Sequence, residues 1–321
     1  MSKYTLTHRK CSSQELCIEY IGKDKQLYFQ QEYNDALKLV KEIVDLQRIE
    51  NNSVDDKNEE RKGDKNKKTV KHGCNNRILF IGQRRCGKTS LTHSLANYLA
   101  EPKVEVEYKD WEKVEFKTEF CFLPMVDASQ FDNNNNILLT VISSMFSLAK
   151  NKMKINKDGG DATTCEDLLK QFEKVFKSLD FVKSELSSYT LESLNRKSHA
   201  ENLKDNMKDL VRKYLTFEGY GDESRLVLLI DDIDKARSYA HEMLEQLRKY
   251  LELDNLIILM SANLEQLTNE IQEYFGSAFK NRPKDSNLAL FIDVEDLTTK
   301  YLLKLFPTSR RIIVERHVTD C

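Results

Sequence analysis

The stretch "ILFIGQRRCGKTS", residues 78 to 90, decides the fold. Four apolar residues run into Gly82, four varied residues follow, and Gly87, Lys88, Thr89 and Ser90 close the segment. Gly82, Gly87, Lys88 and Thr89 satisfy G-x-x-x-x-G-K-[ST], a pattern in which each residue type has a physical task. The glycines let the backbone of Gly82, Gln83, Arg84, Arg85, Cys86 and Gly87 fold into a nest whose N–H groups face phosphate oxygens, and a following helix adds the positive end of its dipole. Lys88 supplies a mobile charge for the β- and γ-phosphates. Thr89 offers its hydroxyl to Mg²⁺, and Ser90 donates toward the α-phosphate. Arg84 and Arg85 are expected to point outward, because backbone rather than side chains makes the nest, and Cys86 is tolerated for the same reason. The context agrees: "RILFI" reads as a buried strand, and "TSLTHSLANYLAE" carries Leu91, Leu95 and Leu99 at helical spacing and stops before Pro102. ATP or ADP with Mg²⁺ is the expected ligand.

A phosphate loop needs an acid to hold the metal, and "RLVLLIDDID", residues 225 to 234, supplies the best candidate. Its apolar run predicts a central strand, with Asp231 at the C-terminal end facing the metal and Asp232 placed to polarise the attacking water. Asp232 can equally be a helix cap or a salt-bridge partner, and Asp234 is read as a cap for the helix that follows. A third buried strand, "NLIILMSAN", ends at Asn263, which either orients water between the two elements or caps the next helix. Asp127, ending "FCFLPMVD", falls on the same sheet edge, where open α/β folds bind ligands. For the cation that stabilises charge on the γ-phosphate, the candidates are Arg310 and Arg311, as a sensor in the same subunit or a finger toward a neighbour, with plain surface solvation as the alternative.

Apolar strands separated by helices imply a parallel sheet covered on both faces, an α/β P-loop fold. Around it, residues 1 to 50 form an N-terminal segment whose helix "YNDALKLVKEIVDLQ" buries Tyr33, Leu37, Val40 and Val44. Residues 51 to 76 are too polar to form a core and read as a linker. The P-loop core is expected over 77 to 293 with a helical insertion at 161 to 217, and 294 to 321 form a short C-terminal helical remnant. Within the linker, Lys57 to Lys71 hold seven basic and three acidic residues, either a solvated loop or a nucleic-acid contact.

The chain of 321 residues is 40% apolar, and its 50 basic against 52 acidic residues exclude an overall electrostatic coat for nucleic acid. Seven scattered cysteines with no C-x-x-C spacing point to neither a disulfide framework nor a zinc site, which fits a reducing cytoplasm. No N-terminal apolar region and no run of 18 apolar residues suggests a membrane segment.

With "GQRRCGKTS", "LLIDDIDKARSYAHEMLEQLRKYL" and "NLIILMSAN" in place, the chain resembles AAA+/STAND-type P-loop ATPases. The pieces "FLPMVDASQF", "HEMLEQLRKYLELDNLIILMSANLEQL" and "KYLLKLFPTSRRI" are similar to bacterial antiphage ATPases, among them the ATPase component of the RADAR defence system. The resemblance, over residues 77 to 313, implies Mg²⁺-dependent ATP hydrolysis, ring-like homo-oligomerisation, a separate effector partner and a role in sensing phage. Two departures stand out. Asp232 replaces the Glu most such ATPases use, which implies slow turnover, and about 14 residues follow Pro307, so the chain is expected to be either a truncated member or a compact ATPase with its effector on another chain.

Overall fold

The computed structural model describes residues 5–10, 16–21, 29–60, 75–100, 116–131, 136–155, 162–183, 202–280 and 293–315. In chain order these form β1 (Thr5–Lys10), β2 (Leu16–Ile21), α1 (Gln30–Glu60), β3 (Arg77–Ile81), α2 (Lys88–Ala100), β4 (Phe120–Phe122), β5 (Val126–Asp127) and α3 (Ile137–Ile155). They continue as α4 (Ala162–Lys183), α5 (Leu203–Glu218), β6 (Arg225–Asp231), α6 (Ala240–Tyr250), β7 (Leu256–Ala262), α7 (Leu264–Lys280), α8 (Val294–Leu305) and β8 (Arg311–Ile313). The expected α/β P-loop architecture is present.

Strands β4, β6, β7, β3 and β8 lie side by side in that order, with β5 also on β6, and every pairing is parallel. Such a sheet must be buried on both faces, and the strands show it: all seven residues of β6 and of β7 are buried. Period-two alternation divides them. Leu226, Leu228, Ile230, Ile258 and Met260 join one apolar layer with α3 to α7, while Ile78, Phe80, Val227, Leu229, Ile257 and Leu259 join the other with α1 and α2.

The helical periodicity holds, since Tyr33, Leu37, Val40 and Val44 of α1 and Leu91, Leu95 and Leu99 of α2 are buried. Two expectations are revised. The N-terminal segment, expected to be helical, also holds strands: β1 and β2 pair as an antiparallel hairpin from Thr5↔Ile21 to Lys10↔Leu16. Helix α1 also continues to Glu60, ten residues into the stretch read as a linker. Charged residues are good helix formers when a helix is already nucleated, so the polar composition ended the apolar stripe and not the helix. The rest of that stretch up to residue 74, most of the basic run included, lies outside the described residues, as does most of "LALFIDV" at 288 to 294.

Polar pins set the ends of the strands. The Asn76 side-chain amide donates to the carbonyls of Leu251 and Leu256, both at 2.9 Å, fixing the start of β3 against the α6–β7 turn. Arg225, 2% exposed, donates to Gln47 of α1 at 2.7 Å. On the outer helices, Glu245 of α6 accepts two hydrogen bonds from Arg248, at 3.0 and 2.7 Å, and one from the Tyr301 hydroxyl of α8 at 3.2 Å.

The Arg248 hydrogen bonds, acting against partial burial, hold the Glu245 carboxyl down to about 2. A carboxylate whose folded value is depressed adds stability above its unfolded value and loses it as pH falls toward the folded one. Glu245→Gln is therefore expected to cost about 1–3 kcal/mol near pH 7. That cost should shrink as pH drops below about 4.5, as thermal unfolding of both proteins across pH would read.

Candidate functional site

Parallel strands deliver their C-terminal ends to one edge of the sheet, and the candidate residues gather there because of it. The loop after β3, Asp231 at the end of β6, Asp127 at the end of β5 and Asn263 just past β7 all share this edge. Strand β7 lies between the phosphate-loop strand and the acid strand. A side chain from β7 is thus the one placed to link them.

The loop itself is shaped by three contacts. A Cβ at Gly82 would sit 2.4 Å from the Val314 carbonyl oxygen and 2.5 Å from Cys86 Sγ, so only glycine fits between the neighbouring strand end and the interior of the loop. Gly87 has φ +99°, a left-handed conformation that favours glycine, and a Cβ there would meet the Phe29 ring at 2.5 Å. Cys86 is buried and packs against Gly82 inside the loop, so a packing contact adds to the backbone reason for its tolerance. Arg84 and Arg85 are exposed, as anticipated. Lys88 is buried at the head of α2 and donates to the Gly82 and Gln83 carbonyls, both at 2.9 Å.

Across the sheet, the Thr89 hydroxyl donates to Asp231 Oδ2 at 2.7 Å. The other carboxylate oxygen, Oδ1, accepts from the Ser261 hydroxyl of β7, and that same hydroxyl accepts from the Asp232 N–H at 3.0 Å. Ser261 is 1% exposed. Thr89 and Asp231 thus present adjoining oxygen donors, the hard ligands a magnesium ion takes, and they fit the metal role assigned to them.

Asp232 is not a helix cap by its side chain: its backbone is left-handed, φ 54°, and its carboxylate pairs with Lys235 Nζ. Asp234 does not cap the following helix either. It is buried, and its Oδ1 accepts from the Asn263 N–H at 2.9 Å, which ties the Asp232 loop to the end of β7. Burial pushes its carboxyl up, opposed by that hydrogen bond. Asn263 Oδ1 accepts from the Gln266 N–H at 3.2 Å, the capping geometry for α7, while the residue also lines the cavity beside Lys88 and Asp232. Asp127 is held by Ser129 and Gln130.

The two arginines proposed from the sequence are not brought to this site. Both precede or open β8, and Arg311 stands in register with Leu79, two residues before the end of β3. Arg310 is 6% exposed and bonds Glu42 of α1 at 3.1 Å. Arg311 donates to the Phe306 carbonyl at 2.7 Å, closing α8, and borders a separate cavity of about 990 Å³ between α1 and β8. Ser261, Lys235 and Phe29 were missed by sequence reasoning: a serine inside an apolar strand, a lysine in a charged turn and an aromatic far upstream carry no signal until the chain is folded.

Ser261→Ala removes one donor from a buried carboxylate and one acceptor from a backbone N–H. The expected loss is about 1–3 kcal/mol in unfolding free energy. Ser261→Thr, which keeps the hydroxyl, is expected to retain most of the stability in the same denaturant titration.

The chain matches the KAP family P-loop domain over residues 85–294, 210 of its 321 residues. It is also 25% identical over 211 residues to the alanine--tRNA ligase of Mycoplasmoides gallisepticum (strain R(low / passage 15 / clone 2)), a stretch covering 62% of this chain and 22% of that protein. The chain therefore spans about a fifth of that relative's length, and the likeness assigns no activity. The phosphate loop, the acid at the end of β6 and the family match agree: this chain belongs to the KAP family of P-loop NTPases.

Proposed function

We propose that the chain binds ATP with Mg²⁺, hydrolyses it, and couples nucleotide state to self-assembly. The observation that carries this reading is the Thr89–Asp231 hydrogen bond, which sets a hydroxyl and a carboxylate together beside Lys88. In this reading the nest from Gly82 to Ser90 binds the phosphates, and Lys88 releases its two carbonyl partners to meet the β- and γ-oxygens. Thr89 and Asp231 would hold the magnesium, which supplies charge neutralisation on the phosphates. Asp232 accepts a proton from water as the water oxygen bonds to the γ-phosphorus. The bond to the bridging oxygen breaks, and its electron pair leaves with ADP.

The broader role, an antiphage ATPase that forms a ring-like homo-oligomer and drives a separate effector in the cytoplasm, draws its support from the sequence resemblance over residues 77 to 313 and from the scattered cysteines. No described helix is long and apolar enough to cross a membrane. One observation favours a second reading, a nucleotide-gated interaction module with little turnover: the Asp232 carboxylate is already paired with Lys235, which must let go before the carboxylate can take a proton.

Phosphate release with Mg²⁺ and ATP separates the two. Hydrolysis predicts many turnovers per site, lost in Lys88→Ala and reduced about 10²–10⁴-fold in Asp232→Asn, and undiminished turnover in both variants would sink the assignment. Light scattering with and without ATP, on wild type and Lys88→Ala, reads assembly: a mass increase that needs both ATP and Lys88 is expected.

A further inference from the structure

With Arg310 and Arg311 held away from this subunit's phosphate loop, the proposed reaction lacks a same-subunit cation from them for the charge on the γ-phosphoryl group. A cavity of about 740 Å³ opens beside the phosphate loop, and Lys88, Asp232 and Asn263 line it together with three further cations, Arg84, Lys235 and Arg237. Lys88 is committed to the phosphates in the proposed chemistry, and Lys235 is paired with Asp232. Arg84 belongs to the nest, whose backbone rather than side chains meets the anion. Arg237 is exposed, and its guanidinium has no hydrogen bond or ion pair among the described residues; its charge acts on Glu270 of α7, against the upward push of burial there.

The backbone singles out the same residue. Arg237 has φ 51° and ψ −130°, an interruption inside the short 3-10 segment Ile233–Tyr239. A bulky side chain at positive φ costs about 1–3 kcal/mol and persists where its surroundings over-determine it. Here the residues leading into it are held: the Lys235 N–H bonds the Asp232 carbonyl at 2.8 Å, Asp234 accepts from the Asn263 N–H, and Gln266 donates to the Asp234 carbonyl at 3.1 Å; beyond it, the Ala240 N–H bonds the Arg237 carbonyl. The strain therefore falls at a fixed point on the cavity wall, five residues beyond Asp232.

Resting on the hydrolysis reading above, we infer that Arg237 supplies, within the same subunit, the cation that stabilises the transferred phosphoryl group. As water's oxygen bonds to phosphorus and the bridging oxygen departs with its electron pair, negative charge spreads over the γ-oxygens, and a planar, delocalised guanidinium matches them. Holding it on a pinned segment removes reorganisation at the moment of reaction.

The test compares wild type with Arg237→Ala, which removes the cation and keeps the strained backbone, and Arg237→Gly, which removes both. Both variants are expected to lose kcat about 10²–10³-fold, with KM for ATP and the Kd for ADP close to wild type, and to lose the extra affinity that fluoroaluminate gives ADP. Guanidinium ion at millimolar concentration should restore part of the rate to Arg237→Gly. Wild-type kcat in both variants would overturn this inference alone, as would loss in Ala with recovery in Gly without guanidinium, which would assign the effect to the backbone. Wild type releasing no more phosphate than Lys88→Ala would overturn the hydrolysis reading and this inference with it.

Discussion

A hydroxyl at the head of α2 and a carboxylate at the end of β6 meet at 2.7 Å, although β7 separates the strands that carry them. That contact depends on β7 bringing Ser261 to the same carboxylate. Ser261 is the hub: its single hydroxyl serves Asp231 and the N–H of Asp232, and so fixes the two neighbouring acids relative to each other. In a buried, low-dielectric setting such a network is worth most when every member is satisfied. The double-sided burial of β6 and β7 supplies that setting.

Backbone strain gathers at the same edge. Among the described residues, the non-glycine positions with positive φ are Phe29, Arg85, Asp232 and Arg237. Arg85 lies in the phosphate loop, Phe29 packs its ring over Gly87, and the other two flank the loop after β6. Strain of this kind is stored where the rest of the fold holds it in place, and the two apolar layers on the sheet provide the hold.

The polarity of a parallel sheet explains which cations matter. Residues that end strands share the site's edge, and residues that begin them lie at the other. Arg310 and Arg311 begin β8, so partners there occupy them: Glu42 of α1 and the last carbonyls of α8. Arg84, Lys235 and Arg237 follow β3 and β6 and reach the cavity by the same rule.

Much of this protein is legible in its residues. Gly82, Gly87, Lys88 and Thr89 announce a phosphate loop because backbone N–H groups and the helix head need those residue types at that spacing. The apolar runs 226 to 230 and 256 to 260 announce strands buried on both faces, since a solvated face would demand alternation. What tertiary structure alone decided is pairing. That Ser261 meets Asp231, that Asp232 meets Lys235 rather than capping a helix, that α1 runs on to Glu60, and that Arg237 rather than Arg310 lines the cavity follow from strand order and from contacts between residues far apart in the chain. Local pattern determines which element a segment forms, because hydrophobic period and glycine geometry act over a few residues. Which polar groups meet depends on how the elements assemble, and no short stretch encodes that.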